Sequence, residues 1–141
     1  MSRREALGSL CTRGIEPWWV REQEALLGLS CVAARAAPHA DDADIRAEAL
    51  VEILRELVGR IRHVSHGKIL WIVLGLEEQY LRMSSAEERR RCAGEAFRGG
   101  ERPVSAGTIR QHHEKRALDR LTEMLLDYEH TAAAARHSPL H

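Results

Sequence analysis

The feature that most constrains the fold is an apolar run, Ile69 to Leu76, with the sequence ILWIVLGL. A run that is apolar on every face is typical of either a buried strand or a central helix. No second strand-like run exists in the chain, and an isolated strand would leave its backbone amides and carbonyls without partners. The residues up to Leu81 continue without a strong turn signal, so we predict a helix at the centre of an all-α fold.

Residues 43–63 carry the clearest amphipathic pattern in the chain. Apolar side chains recur there three and four positions apart, at Leu50, Ile53, Leu54, Leu57, Val58 and Ile61. That spacing places them on one side of an α-helix and therefore predicts a helix with one buried face. Asp41 and Asp42 precede it and suit the N-cap, where a carboxylate accepts hydrogen bonds from free backbone amides.

Glycine and proline interrupt the N-terminal part of the chain. Gly8, Gly14 and Pro17 predict that residues 1–17 are loosely ordered. Since proline suits the first turn of a helix, we expect one helix from Pro17 to about Ala37.

Serine caps mark two helices in the C-terminal part. Overlapping Ser-x-x-Glu capping boxes begin at Ser84 and Ser85 and predict a helix through Phe97. Ser105 is expected to cap a last long helix. The positions of that helix predicted to face the core are Ile109, Ala117, Leu118, Leu121, Met124 and Leu125.

The composition suits one globular domain. With 141 residues, 44% hydrophobic and 30% charged, we predict a single helical domain over residues 1–128 and a flexible tail over residues 129–141. The domain is expected to be a small bundle of about five helices. The 21 basic and 21 acidic residues cancel, which argues against a dedicated, sequence-independent nucleic-acid binder but leaves room for a local basic face.

Neither a disulfide framework nor a membrane span is predicted. Cys11, Cys31 and Cys92 are widely spaced and form no CxxC pair. The first ten residues, MSRREALGSL, contain no apolar stretch long enough for a signal peptide. The run Ile69 to Leu76 is shorter than the roughly 20 residues that a bilayer requires. We therefore expect a cytoplasmic protein.

The segment from Ser84 to Leu126 has the order capped helix, connection, capped helix. Within it, VSAGTIRQHHEKRALDRLTEML resembles the second helix of the helix-turn-helix in region 4 of sigma factors and in response-regulator DNA-binding domains. The longer stretch LGLEEQYLRMSSAEERRRCAGEAFRGGERPVSAGTIRQHHEKRALDRL resembles a helical module common in uncharacterised actinobacterial proteins. The resemblance covers about the last 60 residues. It implies that the last three helices, about residues 65–128, form a helix-turn-helix-like unit.

The resemblance also implies a DNA-binding transcriptional regulator whose recognition helix is 105–127. The polar residues opposite its leucine stripe, which would face the bases, are Thr108, Gln111, His112 and Lys115. The arginines of the preceding helix, which would contact phosphates, are Arg89, Arg90 and Arg91. Side chains of these types can hydrogen-bond to base edges or to phosphate oxygens.

Both sets also match an ordinary solvent-exposed helix surface. The three arginines can pair with acids on their own helix. The last helix has balanced charges, with Arg110, Lys115, Arg116 and Arg120 against Glu114, Asp119, Glu123 and Asp127. Arg110 falls close to the apolar side of a helical wheel, which indicates either an error in that wheel or a buried ion pair.

No metal or catalytic site is predicted. His112, His113 and Glu114, with Cys92 one helix away, are metal-ligand types, but adjacent histidines on a helix project about 100° apart. HExxH, GxSxG and glycine-rich phosphate-loop motifs are absent from the sequence. We expect a protein that is not an enzyme and uses no cofactor.

The tryptophans suggest a second function. Trp18, Trp19 and Trp71 add large apolar area to that of the central run. One of the adjacent pair is expected in the core and the other at an edge. If apolar area remains uncovered, it would bind a second copy of the chain or a partner helix. The alternative function is therefore a non-enzymatic helical adaptor for protein–protein interaction.

Overall fold

A computed structural model of the chain describes residues 1–97 and 102–136. Within these two ranges all regular secondary structure is helical, which confirms the all-α prediction. The N-terminal helices are α1 (Arg3–Arg13), α2 (Pro17–Val20), α3 (Glu24–Leu27), α4 (Ser30–Ala36) and α5 (Ala43–Gly59). The C-terminal helices are α6 (Val64–Val73), α7 (Glu78–Leu81), α8 (Ala86–Glu95), α9 (Ala106–Thr108) and α10 (Glu114–Arg136), with a π-helical turn over Ile109–His113 between the last two. The chain is thus divided into more and shorter helices than the five expected.

The apolar run lies at the centre of the fold, in α6 and the residues that follow it. α6 contacts α5, α8 and α10, and Leu70, Val73 and Leu74 are completely buried. The helix predicted there is confirmed, but its continuation is wrong. Gly75 takes a positive φ of 69°, a conformation that ends a right-handed helix, and α7 is a separate turn.

The first helix was not predicted. Residues 1–17 contain α1. Its N-cap is Ser2, whose hydroxyl accepts a hydrogen bond from the backbone N–H of Glu5 at 3.0 Å. The buried residues of α1 are Ala6, Leu7, Leu10 and Cys11. Their spacing of three and four outweighs Gly8, since one glycine inside a helix costs only about 1 kcal/mol. The helix ends at Gly14, which has a φ of 74°.

The single helix expected from Pro17 to about Ala37 is replaced by α2, α3 and α4. The first break is at Gln23, which has a φ of −89° and a ψ of 69°. Its side chain is buried and donates a hydrogen bond from Nε2 to the carbonyl of Trp19 at 3.2 Å. A polar side chain whose hydrogen bond is made inside the protein can occupy the interior. The three short helices are able to bury apolar residues in several directions.

The adjacent tryptophans divide between core and surface, as predicted. Trp19 is half-buried and packs against the core, with its indole Nε1 donating to the carbonyl of Ser9 at 2.8 Å. Trp18 is 52% exposed.

The last helix, α10, joins both halves of the chain. It packs against α1, α4, α5 and α6, and one hydrophobic cluster contains buried residues of α1 to α6, α8 and α10. α10 continues to Arg136, so residues 129–136, which the sequence places in a flexible tail, are helical. The rest of that predicted tail, residues 137–141, lies outside the described residues.

Candidate nucleic-acid interface

The last helical segment of the chain begins at Ser105. Its hydroxyl accepts a hydrogen bond from the backbone N–H of Thr108 at 3.1 Å, which is the predicted N-cap. The two hydroxyl groups are also hydrogen-bonded to each other at 3.0 Å. Thr108, one of the predicted base-facing residues, is half-buried, and its side chain already has a hydrogen-bond partner.

The turn Ile109–His113 is π-helical. The backbone N–H of Glu114 donates to the carbonyl of Ile109, five residues earlier. Such a turn inserts one extra residue, so the segment before it is rotated by about 100° relative to a straight α-helix. As a result Ile109 and Glu114 both face the core, with exposed fractions of 0% and 5%.

This rotation explains why the side chain of Arg110 is exposed. On a straight wheel Arg110 falls near the apolar side, but in the structure it is exposed and Ile109 takes the buried place. The wheel was therefore in error for Arg110. A buried ion pair does exist here, and it belongs to Glu114.

The first three acidic residues of this helix each form an ion pair with an arginine. Two of the arginines lie on other helices and the third lies on the same helix. The pairs are Glu114 with Arg90 at 2.9 Å, Asp119 with Arg4 at 2.8 Å, and Glu123 with Arg120 at 3.2 Å. On this helix, over residues 105–135, the exposed cations that have no ion pair are Arg110, Lys115 and Arg116. The balanced charge of the sequence thus becomes a positive surface at the start of the helix. We call the exposed residues Arg110, Gln111, His112, Lys115 and Arg116 the cationic face.

Arg89 does not fit the predicted contact with phosphates. It is 2% exposed, and its guanidinium donates from Nε to the carbonyl of Val73 at 2.8 Å and from Nη2 to that of Cys11 at 3.0 Å. These carbonyls lie in the last turns of α6 and α1, where helices leave carbonyls without intrahelical partners. Burial lowers the pKa of Arg89, and the side chain acts as a cap for two helix ends.

Arg90 also faces inward. Its Nε and Nη2 donate to the two carboxylate oxygens of Glu114 at 2.9 and 3.1 Å. Burial alone would lower the pKa of Arg90, but the hydrogen bonds to Glu114 and the negative charge of that carboxylate together outweigh burial and raise the pKa. Of the three predicted phosphate contacts, Arg91 is the one at the surface.

A cluster of aromatic rings lies next to the π-helical turn. The rings of His63 and His66 are stacked with their centroids 3.7 Å apart, and His66 lies 6.3 Å from His113. The His113 ring is in turn 4.4 Å from Phe97. Burial, the two neighbouring histidines and Arg116 lower the pKa of His66. Sequence reasoning missed this cluster, because nothing in the sequence connects His63 and His66 with residue 113.

A second candidate surface lies elsewhere on the molecule, around the exposed side chain of Trp18. It borders a groove of about 770 Å³. The apolar side chains that line the groove are Trp18, Trp19, Leu81 and Met83. The guanidinium of Arg13 lies over both indole rings, 5.2 and 5.3 Å from their centroids. Trp71 is half-buried and hydrogen-bonded through Nε1 to Glu77 at 2.8 Å.

Within residues 1–97 and 102–136, no group of three or more histidine, cysteine or acidic side chains could hold a metal ion. In the same ranges no helix combines the length and apolar character needed to cross a membrane. Comparison of the chain with protein-family models, with curated proteins and with solved structures found no match.

Proposed function

We propose that the chain binds DNA through the cationic face and acts as a transcriptional regulator. The observation that carries this proposal is the distribution of ion pairs along the last helix. Its first three acids are neutralised by Arg90, Arg4 and Arg120, whereas three cations at its start are exposed. Such cations attract backbone phosphates, and the exposed Gln111 and His112 between them offer hydrogen-bonding groups for base edges.

The length of the helix suits this role. With 23 residues, α10 is about 35 Å long, and an α-helix fits the major groove of B-DNA. The contact would use the first turns only, since the three exposed cations all lie there and Asp127, which is exposed and has no ion pair in the described part of the chain, follows further along the helix. Recognition helices also use their N-terminal residues. α8 would be the preceding helix of the helix-turn-helix-like unit.

The test is binding of the purified chain to labelled genomic DNA fragments at about 50 and about 200 mM salt. Three phosphate contacts give a slope of about −2.7 in log affinity against log salt, or about a 40-fold loss over this range. Arg110→Ala, Lys115→Ala and Arg116→Ala should each weaken binding and reduce the slope by about one contact. Arg91→Ala tests the remaining surface arginine of α8.

Arg21→Ala is the matched control, because it removes one positive charge from a residue that pairs with Asp44, away from α10. It should leave the salt slope unchanged. If no fragment is retained even at the lower salt concentration, DNA binding is excluded. If Arg21→Ala weakens binding as much as Arg110→Ala, Lys115→Ala and Arg116→Ala do, the contact is a general charge effect and not the cationic face.

The exposure of Trp18 favours a second candidate, a helical adaptor that binds protein. Trp18 is 52% exposed beside a groove, and tryptophan is enriched among the residues that carry binding energy at protein interfaces. If a second copy covers it, sedimentation should show a dimer for the wild-type chain and a monomer for Trp18→Ser. A monomer for both would exclude self-association through this surface.

A further inference from the structure

One face of α8 contacts the chain on both sides of the π-helical turn. Arg90 and Gly94 are four positions apart on α8, so they lie on the same face of the helix. Gly94 contacts the segment before the turn, and Arg90 contacts the residue that closes it. α8 therefore fixes both ends of the turn.

The upstream contact depends on the bare backbone of Gly94. The N–H of Val104 donates to the carbonyl of Gly94 at 3.0 Å. A Cβ on Gly94 would lie 2.0 Å from the carbonyl oxygen of Val104, which no side chain tolerates. The chain approaches α8 this closely and then buries Ile109 completely, which fixes the orientation of the segment before the turn.

The downstream contact is the Arg90–Glu114 ion pair. The two side chains are 13% and 7% exposed, and the guanidinium donates to both carboxylate oxygens. A bidentate pair of this kind fixes direction as well as distance. The backbone amide of Glu114 is also the donor that closes the turn onto Ile109. Glu114 therefore closes the turn with its backbone amide and binds the turn to α8 with its side chain.

The turn decides which side chains reach the surface. Without it, the segment before Glu114 would rotate by about 100°. Arg110 would then point towards the core and Ile109 away from it, while Gln111 and His112 would leave their present positions beside Lys115. The cationic face as the structure has it exists only with the turn in place.

Stability explains neither the buried Arg90–Glu114 ion pair nor the π-helical turn. A buried ion pair loses hydration, and apolar side chains of similar volume often stabilise a fold as well or better. π-helical turns are rare and occur often at functional sites. The ion pair fixes the orientation of Glu114 relative to α8, which an apolar pair would not do.

We infer that Arg90 and Glu114 are positioning residues, which hold the π-helical turn and so orient the cationic face towards its ligand. The inference rests on the proposed DNA binding for the identity of that ligand. It replaces the sequence prediction for Arg90, which acts through α10 and does not touch phosphate.

The first test uses the double variant Arg90→Met/Glu114→Leu, which keeps the contact buried but removes its direction. Its melting temperature should stay within about 5 °C of wild type, a change of roughly 1 kcal/mol. Its affinity for DNA should fall by about tenfold or more, with a shallower salt slope. A pair that served stability alone would be replaced without loss, so wild-type DNA affinity in this variant overturns the inference.

The second test needs no DNA. Arg110→Cys is made in a Cys92→Ala background, where the remaining Cys11 and Cys31 are buried, and the rate of alkylation is measured. Adding Arg90→Met/Glu114→Leu should slow the reaction severalfold, as position 110 turns inward. Glu123→Cys, after the turn on the same helix, is the control and should react at the same rate with and without the double substitution.

The two tests separate the inference from the proposed function. If wild-type protein retains no DNA, the proposed function fails, and the alkylation rate alone decides whether the ion pair holds the turn. If wild-type protein binds DNA and position 110 reacts equally in both backgrounds, the function stands and the inference is wrong.

Discussion

Glu129, near the end of α10, holds the first turn of α4 through the backbone amide of Cys31. Its Oε1 accepts a hydrogen bond from that N–H at 2.7 Å. Its other carboxylate oxygen accepts one from the N–H of Ser30, also at 2.7 Å. The first amides of a helix have no intrahelical partners, so this carboxylate caps α4 from almost a hundred residues away. The end of α10 is therefore part of the packed structure.

Glu129→Ala should lower the free energy of unfolding by about 1–3 kcal/mol, because hydrogen bonds to a charged group are lost and two amides lose their acceptor. Urea denaturation followed by circular dichroism measures the change. Glu123→Ala removes an exposed carboxylate from the same helix, where it pairs only with Arg120, and should cost less than about 1 kcal/mol. Equal losses for the two variants would show that the contact with α4 contributes nothing specific.

The neighbouring arginines of α8 should differ sharply in their effect on stability. Arg89→Met leaves the carbonyls of Val73 and Cys11 without their donor inside the protein, and we expect a loss of about 2–4 kcal/mol. Arg91→Ala changes an exposed side chain and should stay within about 0.5 kcal/mol of wild type. Thermal and urea denaturation of the two variants give the comparison, and a small effect of Arg89→Met would contradict its role as a cap of two helix ends.

The His66 cluster should make the fold sensitive to acid. Because the pKa of His66 is lowered in the folded state, the unfolded chain takes up a proton more readily once the pH falls below the ordinary value near 6.5. The stability that neutral His66 contributes is therefore fully present above that pH and is lost as the pH falls towards the folded-state pKa. The melting temperature should drop between about pH 7.5 and about pH 5.5.

His66→Asn should reduce that drop, since asparagine does not titrate. His39→Asn, which changes an exposed histidine outside the cluster, should leave the drop in place. If the melting temperature of His66→Asn falls on acidification by as much as that of His39→Asn and wild type, groups other than His66 cause the drop.

The helical fold could be predicted where core residues follow regular spacings or where caps are encoded locally. The apolar stripe of α5 and the caps Ser85 and Ser105 appear as expected. The sequence predictions are wrong where local signals compete with distant contacts. Gly8 is typical of a break in a helix, yet it lies in a helix with a buried face. The end of α10 appeared frayed because its anchor, the Glu129 contact with α4, is remote in sequence.

The candidate site was predicted less completely, for a physical reason. Gln111, His112 and Lys115 are at the surface. A helical wheel assumes the same rotation at every residue, so it cannot represent the π-helical turn. The position of Arg110 near the apolar side of that wheel is the one sign of the turn in the sequence. The inward direction of Arg89 and Arg90 could not be predicted, because a buried arginine depends on carbonyls and carboxylates that come from other helices.

The close approach of Val104 to Gly94 leads to the last prediction. Gly94→Ala would set a Cβ 2.0 Å from the carbonyl oxygen of Val104, so the chain entering α9 must move away from α8. We expect a loss of about 2–3 kcal/mol, as for other overpacked sites, measured by thermal denaturation. Gly59→Ala is the matched control, because no atom lies within 4 Å of its Cβ position at the end of α5, and it should be neutral or stabilise by up to about 1 kcal/mol. If Gly94→Ala is as stable as wild type, the segment before the π-helical turn has room to shift, and α8 does not fix its orientation.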